Sequence, residues 1–188
     1  SGTVSQLVDS ASGIHPRHSQ YYIRTVRGDN KDPLTKFMKD MKIPNEPAVA
    51  SEDSVTVFSF PCKAPPDATT REDFTAIDHL KLWKVYAEHW CEHKPSITVS
   101  VKEHEWLEVG AWVYKNFDYI SGVSFLPYSE HTYSQAPYQE CLEEEYKNLY
   151  DQLPKSIDWD LLRRYEKEDT TTGSQELNCT ADACEVVD

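Results

Sequence analysis

The chain has 188 residues, 39% hydrophobic and 27% charged, with a formal net charge of −13. That length suits one domain with a real core plus a tail, and the acidic balance argues against a basic face for nucleic acid. No apolar run reaches the ~18 residues of a membrane helix, and the opening Ser1-Gly2-Thr3-Val4-Ser5-Gln6 lacks a basic, apolar leader pattern. A cytoplasmic protein with neither nucleic-acid nor membrane partners is expected.

Five cysteines, at 62, 91, 141, 179 and 184, are odd in number and scattered, unlike a secreted disulfide framework. The charge is uneven. Residues 130–188 carry 15 acidic and 5 basic side chains, against 17 and 14 in residues 1–129. A solvated, extended C-terminal region follows from that.

The first residues enter a helical pattern through Leu7 and Val8, with Gly13 as its stop. Tyr21 to Arg27 is β-branched and aromatic and predicts a strand ending at Gly28-Asp29-Asn30. Asp32-Pro33 starts a helix, Asp as N-cap and Pro at the first helical position, with Leu34, Phe37, Met38 and Met41 on one face. Pro44 and Pro47 mark a loop. Residues 54–60 predict a strand closed by Pro61, followed by Pro-rich loop to residue 69. Thr70 with Asp73 resembles a capping box for a long helix over 71–92, its apolar face Phe74, Ile77, Leu80, Trp83, Ala87 and Trp90. Pro95 breaks it. Residues 97–101 predict a buried strand, 103–117 a helix and 121–126 a last strand before Pro127. This alternation indicates α/β architecture with a parallel sheet. Four such strands leave open edges, so the chain reads as a piece of something larger. Residues 137–152 then predict an acidic helix, 157–165 a second short one, and 167–188 a flexible tether.

Cys179-Thr-Ala-Asp-Ala-Cys184 carries the clearest chemistry. Two thiols this close on a terminal arm can close a disulfide, and a dithiol on such an arm suits electron transfer between partners. The alternatives are two idle cysteines or half of a metal site, although zinc prefers four ligands. Ser1-Gly2-Thr3-Val4-Ser5, a hydroxyl-rich turn entering a helix, suits a phosphate, although most such residues are simple caps. Arg17, Arg24 and Arg27 follow close behind, with His15 and His18 flanking Arg17 as turn polar residues. His89-Trp90-Cys91-Glu92-His93 matches the H-x-x-E-H metalloprotease pattern loosely, with no third ligand, so no metal site is assigned. Cys62, Cys91 and Cys141 read as ordinary half-buried thiols.

Taken in order, Ser1 to Ser5, Gly13-Ile14-His15-Pro16-Arg17, Tyr21-Tyr22-Ile23-Arg24, Val57-Phe58-Ser59-Phe60-Pro61, His93-Lys94-Pro95-Ser96, Glu105-Trp106-Leu107, Gly122 to Pro127 and Gly173 to Cys184 resemble the closing section of the ribonucleotide reductase catalytic chain. The resemblance covers essentially the whole sequence and is closest to the adenosylcobalamin-dependent (class II) enzymes. It implies the C-terminal portion of a ten-stranded α/β barrel over residues 1–136, an acidic helical extension over 137–166, and a redox tail over 167–188. It implies that Ser1, Gly2, Thr3, Val4 and Ser5 bind the phosphates of a ribonucleotide substrate. It implies that Cys179 and Cys184 re-reduce the active-site disulfide and are themselves reduced by thioredoxin or a similar dithiol protein. The radical cysteine, its carboxylate partner, the barrel cysteine pair and most adenosylcobalamin contacts are expected upstream of Ser1, so the chain by itself is expected to be inactive. Tyr146, Tyr150 and Tyr165 include no adjacent pair, unlike the iron-dependent class. Ser1 cuts into the phosphate motif, as an intein or split-gene junction does, and equally as a truncation does. The competing reading is a non-catalytic thiol-disulfide shuttle or binding module acting on a partner chain.

Overall fold

The structure is a computed structural model and describes residues 4–49, 51–128, 134–166, 177–180 and 183–186. In chain order its regular elements are α1 (Val4–Leu7), β1 (Tyr21–Asp29), α2 (Pro33–Asp40), β2 (Asn45–Pro47), β3 (Val55–Lys63), α3 (Ala76–His89), β4 (Ile97–Val101), α4 (Trp106–Lys115), β5 (Val123–Pro127), β6 (Tyr138–Glu140), α5 (Glu143–Gln152), β7 (Leu177–Thr180) and β8 (Ala183–Val186), with short 3-10 turns at Glu103–Glu105, Phe117–Tyr119 and Trp159–Arg164. The described strands form sheets of four, two and two strands, and none closes on itself. The architecture of the described residues is therefore mixed helix and strand with no closed sheet. No helix among the described residues is long and apolar enough to cross a membrane.

The chain divides into two compact units, Ser1–Ile23 with Cys62–Tyr146, and Arg24–Pro61 with Lys147–Asp188. The first is organised by β4. Its residues alternate, so Ile97, Val99 and Val101 are buried while Thr98 and Ser100 point the other way. The buried set packs with Ala76, Ile77, Leu80 and Trp83 of α3 and Val109 of α4. Trp83 is fully buried, and its indole N–H donates to Pro95 O at 2.6 Å, which satisfies the polar end of a large apolar ring. β5 pairs with β4 in parallel, Ile97 opposite Val123 through Val101 opposite Pro127. A parallel pair needs a crossover, and α4 supplies it, as the alternation predicts.

The second unit buries Phe37 and Ile43 beside Val57 and Phe58 of β3. Phe37 meets Trp159 and Tyr165, each with ring centroids 5.5 Å apart. Asp32 caps α2 as expected, accepting from Leu34 N at 2.8 Å. Of the expected α2 face Phe37 is fully buried, whereas Leu34 is exposed and Thr35 is buried in its stead. Gly28 makes that approach possible, because a Cβ there would lie 2.3 Å from Thr35 Oγ1.

Four expectations need correction. The Pro44–Pro47 loop contains β2, antiparallel to β3 with Asn45 opposite Phe58 and Pro47 opposite Thr56; a Pro is tolerated in so short an edge strand. β3 runs through Pro61 to Lys63, because β2 pairs only residues 56–58 and the ladder on that side has ended before Pro61. The long helix starts at Ala76, not at residue 71, capped by Thr75, whose Oγ1 accepts from Asp78 N at 3.1 Å. Residues 69–71 are committed elsewhere: Arg17 N donates to Thr69 O and Arg71 N to Arg17 O, both at 2.9 Å. That helix ends at His89, leaving Trp90 81% exposed outside the core. Residues 138–140 form β6 rather than the start of the acidic helix, which begins at Glu143.

Candidate functional site

Thr98 and Ser100, the residues of β4 turned away from the core, line a cavity of about 410 Å³ in the first unit. The wall formed by Ala11, Ser12 and residues 15–18 lines it too, and Tyr22, Arg71, Phe74, Thr75, His79, Leu126 and Tyr138 complete it. The volume falls in the ~300–1,000 Å³ range of small-molecule sites, and an apolar lining with a few polar groups is typical of them.

The wall is held by specific bonds. Gly13 has φ +56, a backbone region that favours glycine, and the turn it makes brings His15 back onto Ser12. His15 N donates to Ser12 O at 3.1 Å, and His15 Nδ1 lies 2.6 Å from the same oxygen. Thr98 N donates to His15 Nε2 at 3.0 Å. A backbone N–H only donates and a carbonyl only accepts, so these bonds fix a neutral imidazole with its proton on Nδ1. Arg17 is buried and donates to both the backbone oxygen and the carboxylate of Asp9, the latter at 3.1 Å. Ser5 Oγ and Ser12 Oγ lie 3.3 Å apart, which ties the end of the proposed phosphate motif to the cavity wall.

Two further histidines are electrically neutral parts of the lining. Burial pushes His79 down to about 4, with His15 adding to the effect; its Nε2 faces Ile14 O at 3.1 Å and therefore carries the proton. Burial likewise pushes His18 to about 4, and the Arg71 cation reinforces it. His18 stacks on Tyr138 with ring centroids 5.6 Å apart. Burial also raises the Tyr22 phenol above its ordinary value, against the pull of Arg17. Arg71 donates from Nε to His18 O at 3.0 Å and lies over the Tyr128 ring, 5.1 Å from its centroid.

Cys179 and Cys184 are direct cross-strand partners in the β7–β8 ladder, one step in from Thr180 opposite Ala183. Opposed residues in an antiparallel pair have Cα atoms ~4.5–5.5 Å apart, inside the ~4.4–6.8 Å range that a disulfide spans. Ser1, Gly2 and Thr3 lie outside the described residues, as do residues 167–176 of the expected tether. Val4 is exposed on α1.

Of the arginines singled out in the sequence, Arg17 lines the cavity while Arg24 and Arg27 do not. His89 ends α3 and His93 lies beyond it, so the two do not share a helix face. Cys62, Cys91 and Cys141 are half-buried thiols outside any disulfide. Burial, with Glu145, Cys62 and Glu140 adding to it, pushes Cys141 up to about 11, which keeps it a protonated, weakly nucleophilic thiol at neutral pH. The lining residues His79, Arg71, Tyr22 and Tyr138 are absent from the sequence-level site. His79 left one signal, a titratable residue beside Ala76, Ile77 and Leu80 on the apolar face of α3.

No protein-family model matches the chain. It is 26% identical over 187 residues, 98% of its length, to the adenosylcobalamin-dependent ribonucleoside-triphosphate reductase of Euglena gracilis. It is 29% identical, over 100% of its length, to a probable reductase of the same name from Dictyostelium discoideum. A solved B-12 dependent (class II) ribonucleotide reductase shares its fold, with a TM-score of 0.72 and 21% identity over 88% of this chain and 23% of that one. The chain spans about a quarter of the length of these curated relatives, 25% and 24%. Sequence over its whole length and fold over most of it together relate this chain to the adenosylcobalamin-dependent, class II ribonucleotide reductases, as a segment of about a quarter of their length.

Proposed function

We propose that the chain is the C-terminal segment of an adenosylcobalamin-dependent ribonucleotide reductase. That enzyme is an oxidoreductase converting ribonucleotides to deoxyribonucleotides by thiyl-radical chemistry, and the segment works only with the upstream portion. Residues 1–136 supply barrel strands and helices, 137–166 an acidic extension and 167–188 the redox tail. The observation that carries the reading is the opposed register of Cys179 and Cys184 in a chain similar throughout to such reductases.

The cavity takes the nucleoside part of the substrate, and Ser1, Gly2, Thr3, Val4 and Ser5 take its phosphates. The Ser5–Ser12 contact supports this by tying the two together. Adenosylcobalamin supplies the radical when bound. A cavity of about 410 Å³ does not fit a corrin with its nucleotide tail and adenosyl ligand, so the cofactor is assigned mainly to the upstream portion. After turnover, one tail thiolate attacks the upstream active-site disulfide and forms a mixed disulfide, which the second tail thiol displaces. Two electrons and two protons pass to the active site, leaving a Cys179–Cys184 disulfide. Thioredoxin reduces that disulfide by the same exchange.

The test is deoxynucleotide formation by this chain combined with its upstream portion and thioredoxin, with and without adenosylcobalamin. Cobalamin-dependent product is expected. No product from an assembled complex would favour the shuttle-module reading instead, and product without cobalamin would overturn the class.

A further inference from the structure

β4 pairs with β5 along one edge, while on the other an imidazole meets the backbone N–H of Thr98. His15 thus acts where a neighbouring strand would. Its Nε2 accepts from Thr98 at 3.0 Å, and its Nδ1 donates to Ser12 O at 2.6 Å. Ser12 and Thr98 both line the cavity, and the ring joins them. A single ring therefore joins lining segments 83 residues apart in sequence and fixes the distance between them. His79 supports the same segment from α3 through Ile14 O, 3.1 Å away, and meets His15 edge-on with centroids 5.4 Å apart. Few side chains other than a neutral imidazole offer an acceptor and a donor at two separate positions in the plane of one rigid ring.

We propose that His15 is a positioning residue for the substrate cavity, holding the Ala11–Arg17 wall at a fixed distance from β4. This rests on the reading that the cavity takes the ribonucleotide. The role is to maintain shape before the substrate arrives, so its loss weakens substrate binding rather than the chemical step.

The experiment uses the assembled reductase and compares three variants of this segment with the parent. His15→Phe removes both bonds and keeps the ring. His15→Gln keeps an acceptor near the Nε2 position. Ser100→Phe fills the cavity from β4. Two lost hydrogen bonds at ~1 kcal/mol each correspond to a KM for the ribonucleotide about thirtyfold higher in His15→Phe. The expected kcat stays within about threefold, and His15→Gln recovers most of the loss. If His15→Phe does not fold, His15→Gln decides, with a KM rise of about fivefold expected from the lost Ser12 bond. A His15 variant with parental KM, or one whose loss lies in kcat alone, overturns the positioning role. Ser100→Phe tests the underlying reading separately. It blocks turnover if the cavity is the substrate site. Parental KM and kcat in a folded Ser100→Phe enzyme would remove the cavity from the reaction and the proposal with it.

Discussion

The two candidate sites are built in opposite ways. The dithiol is local: five positions separate Cys179 from Cys184, and one hairpin register opposes them. The cavity is assembled from segments scattered through the first unit, and its defining bonds cross 83 and 65 residues. A local site survives disturbance elsewhere but depends wholly on its two reacting groups. A long-range site spreads its dependence over many groups, each of modest weight.

The sharpest test of that contrast, and the largest expected effect, is removal of either tail thiol. Cys179→Ser or Cys184→Ser leaves a monothiol that can form a mixed disulfide but cannot resolve it. Thioredoxin-driven multiple turnover should fall by about a hundredfold or more, while a single turnover from pre-reduced enzyme persists. Steady-state turnover within a factor of two of the parent would show that the pair carries no electrons.

Acid separates the two units next. The six histidines among the described residues, at 15, 18, 79, 89, 93 and 104, all lie in the first unit. His18 and His79 are held at about 4, against 6.5 for the free side chain. The unfolded chain therefore binds more protons between those values, and stability must fall as pH drops from 6.5 towards 4. Amide exchange in residues 97–101 should accelerate relative to residues 55–60 by about tenfold or more across that window. Changing both His18 and His79 to Gln should flatten the difference. Equal pH dependence in the two strands would mean that these imidazoles are already protonated in the folded protein.

The same contrast explains how much was legible in the sequence. The Asp32-Pro33 start of α2, the alternation of residues 97–101 and the tail dithiol are written in neighbouring residues, so local rules find them. Local rules misplace the start of α3 because two Thr-x-x-Asp runs stand five residues apart, at Thr70 and Thr75. Only the tertiary bonds from Arg17 to residues 69–71 decide between them. β6 escapes local rules because Tyr138-Gln139-Glu140 has no strand signal of its own; its strand character accompanies a neighbour in β1, where Cys141 N reaches Tyr21 O at 3.2 Å. The cavity was invisible for the same reason. His15 and His18 read as turn residues, and nothing near them in sequence points to Thr98 or Arg71.

Glu105 carries the smallest of these effects, and it shows how one long-range group shares the load. Its side chain is buried, with Oε1 accepting from Ala76 N at 3.0 Å and Oε2 from Lys102 N at 2.8 Å. One carboxylate thus caps the first residue of α3 and closes the turn that leads into α4, while Thr75 serves Asp78 N three residues along. The negative charge also suits two helix starts. Glu105→Gln retains one acceptor but sets an amide NH₂ against the other backbone N–H, leaving a buried donor without a partner. That should cost about 1–3 kcal/mol, read as a lower urea midpoint with an unchanged slope. The tail hairpin, which has no share in these bonds, should retain its thioredoxin-dependent dithiol exchange in the variant. A midpoint shift worth less than about 0.5 kcal/mol, the scale of ordinary surface changes, would mean that Thr75 alone suffices to start α3. The first unit would then be more locally determined than its bond pattern indicates.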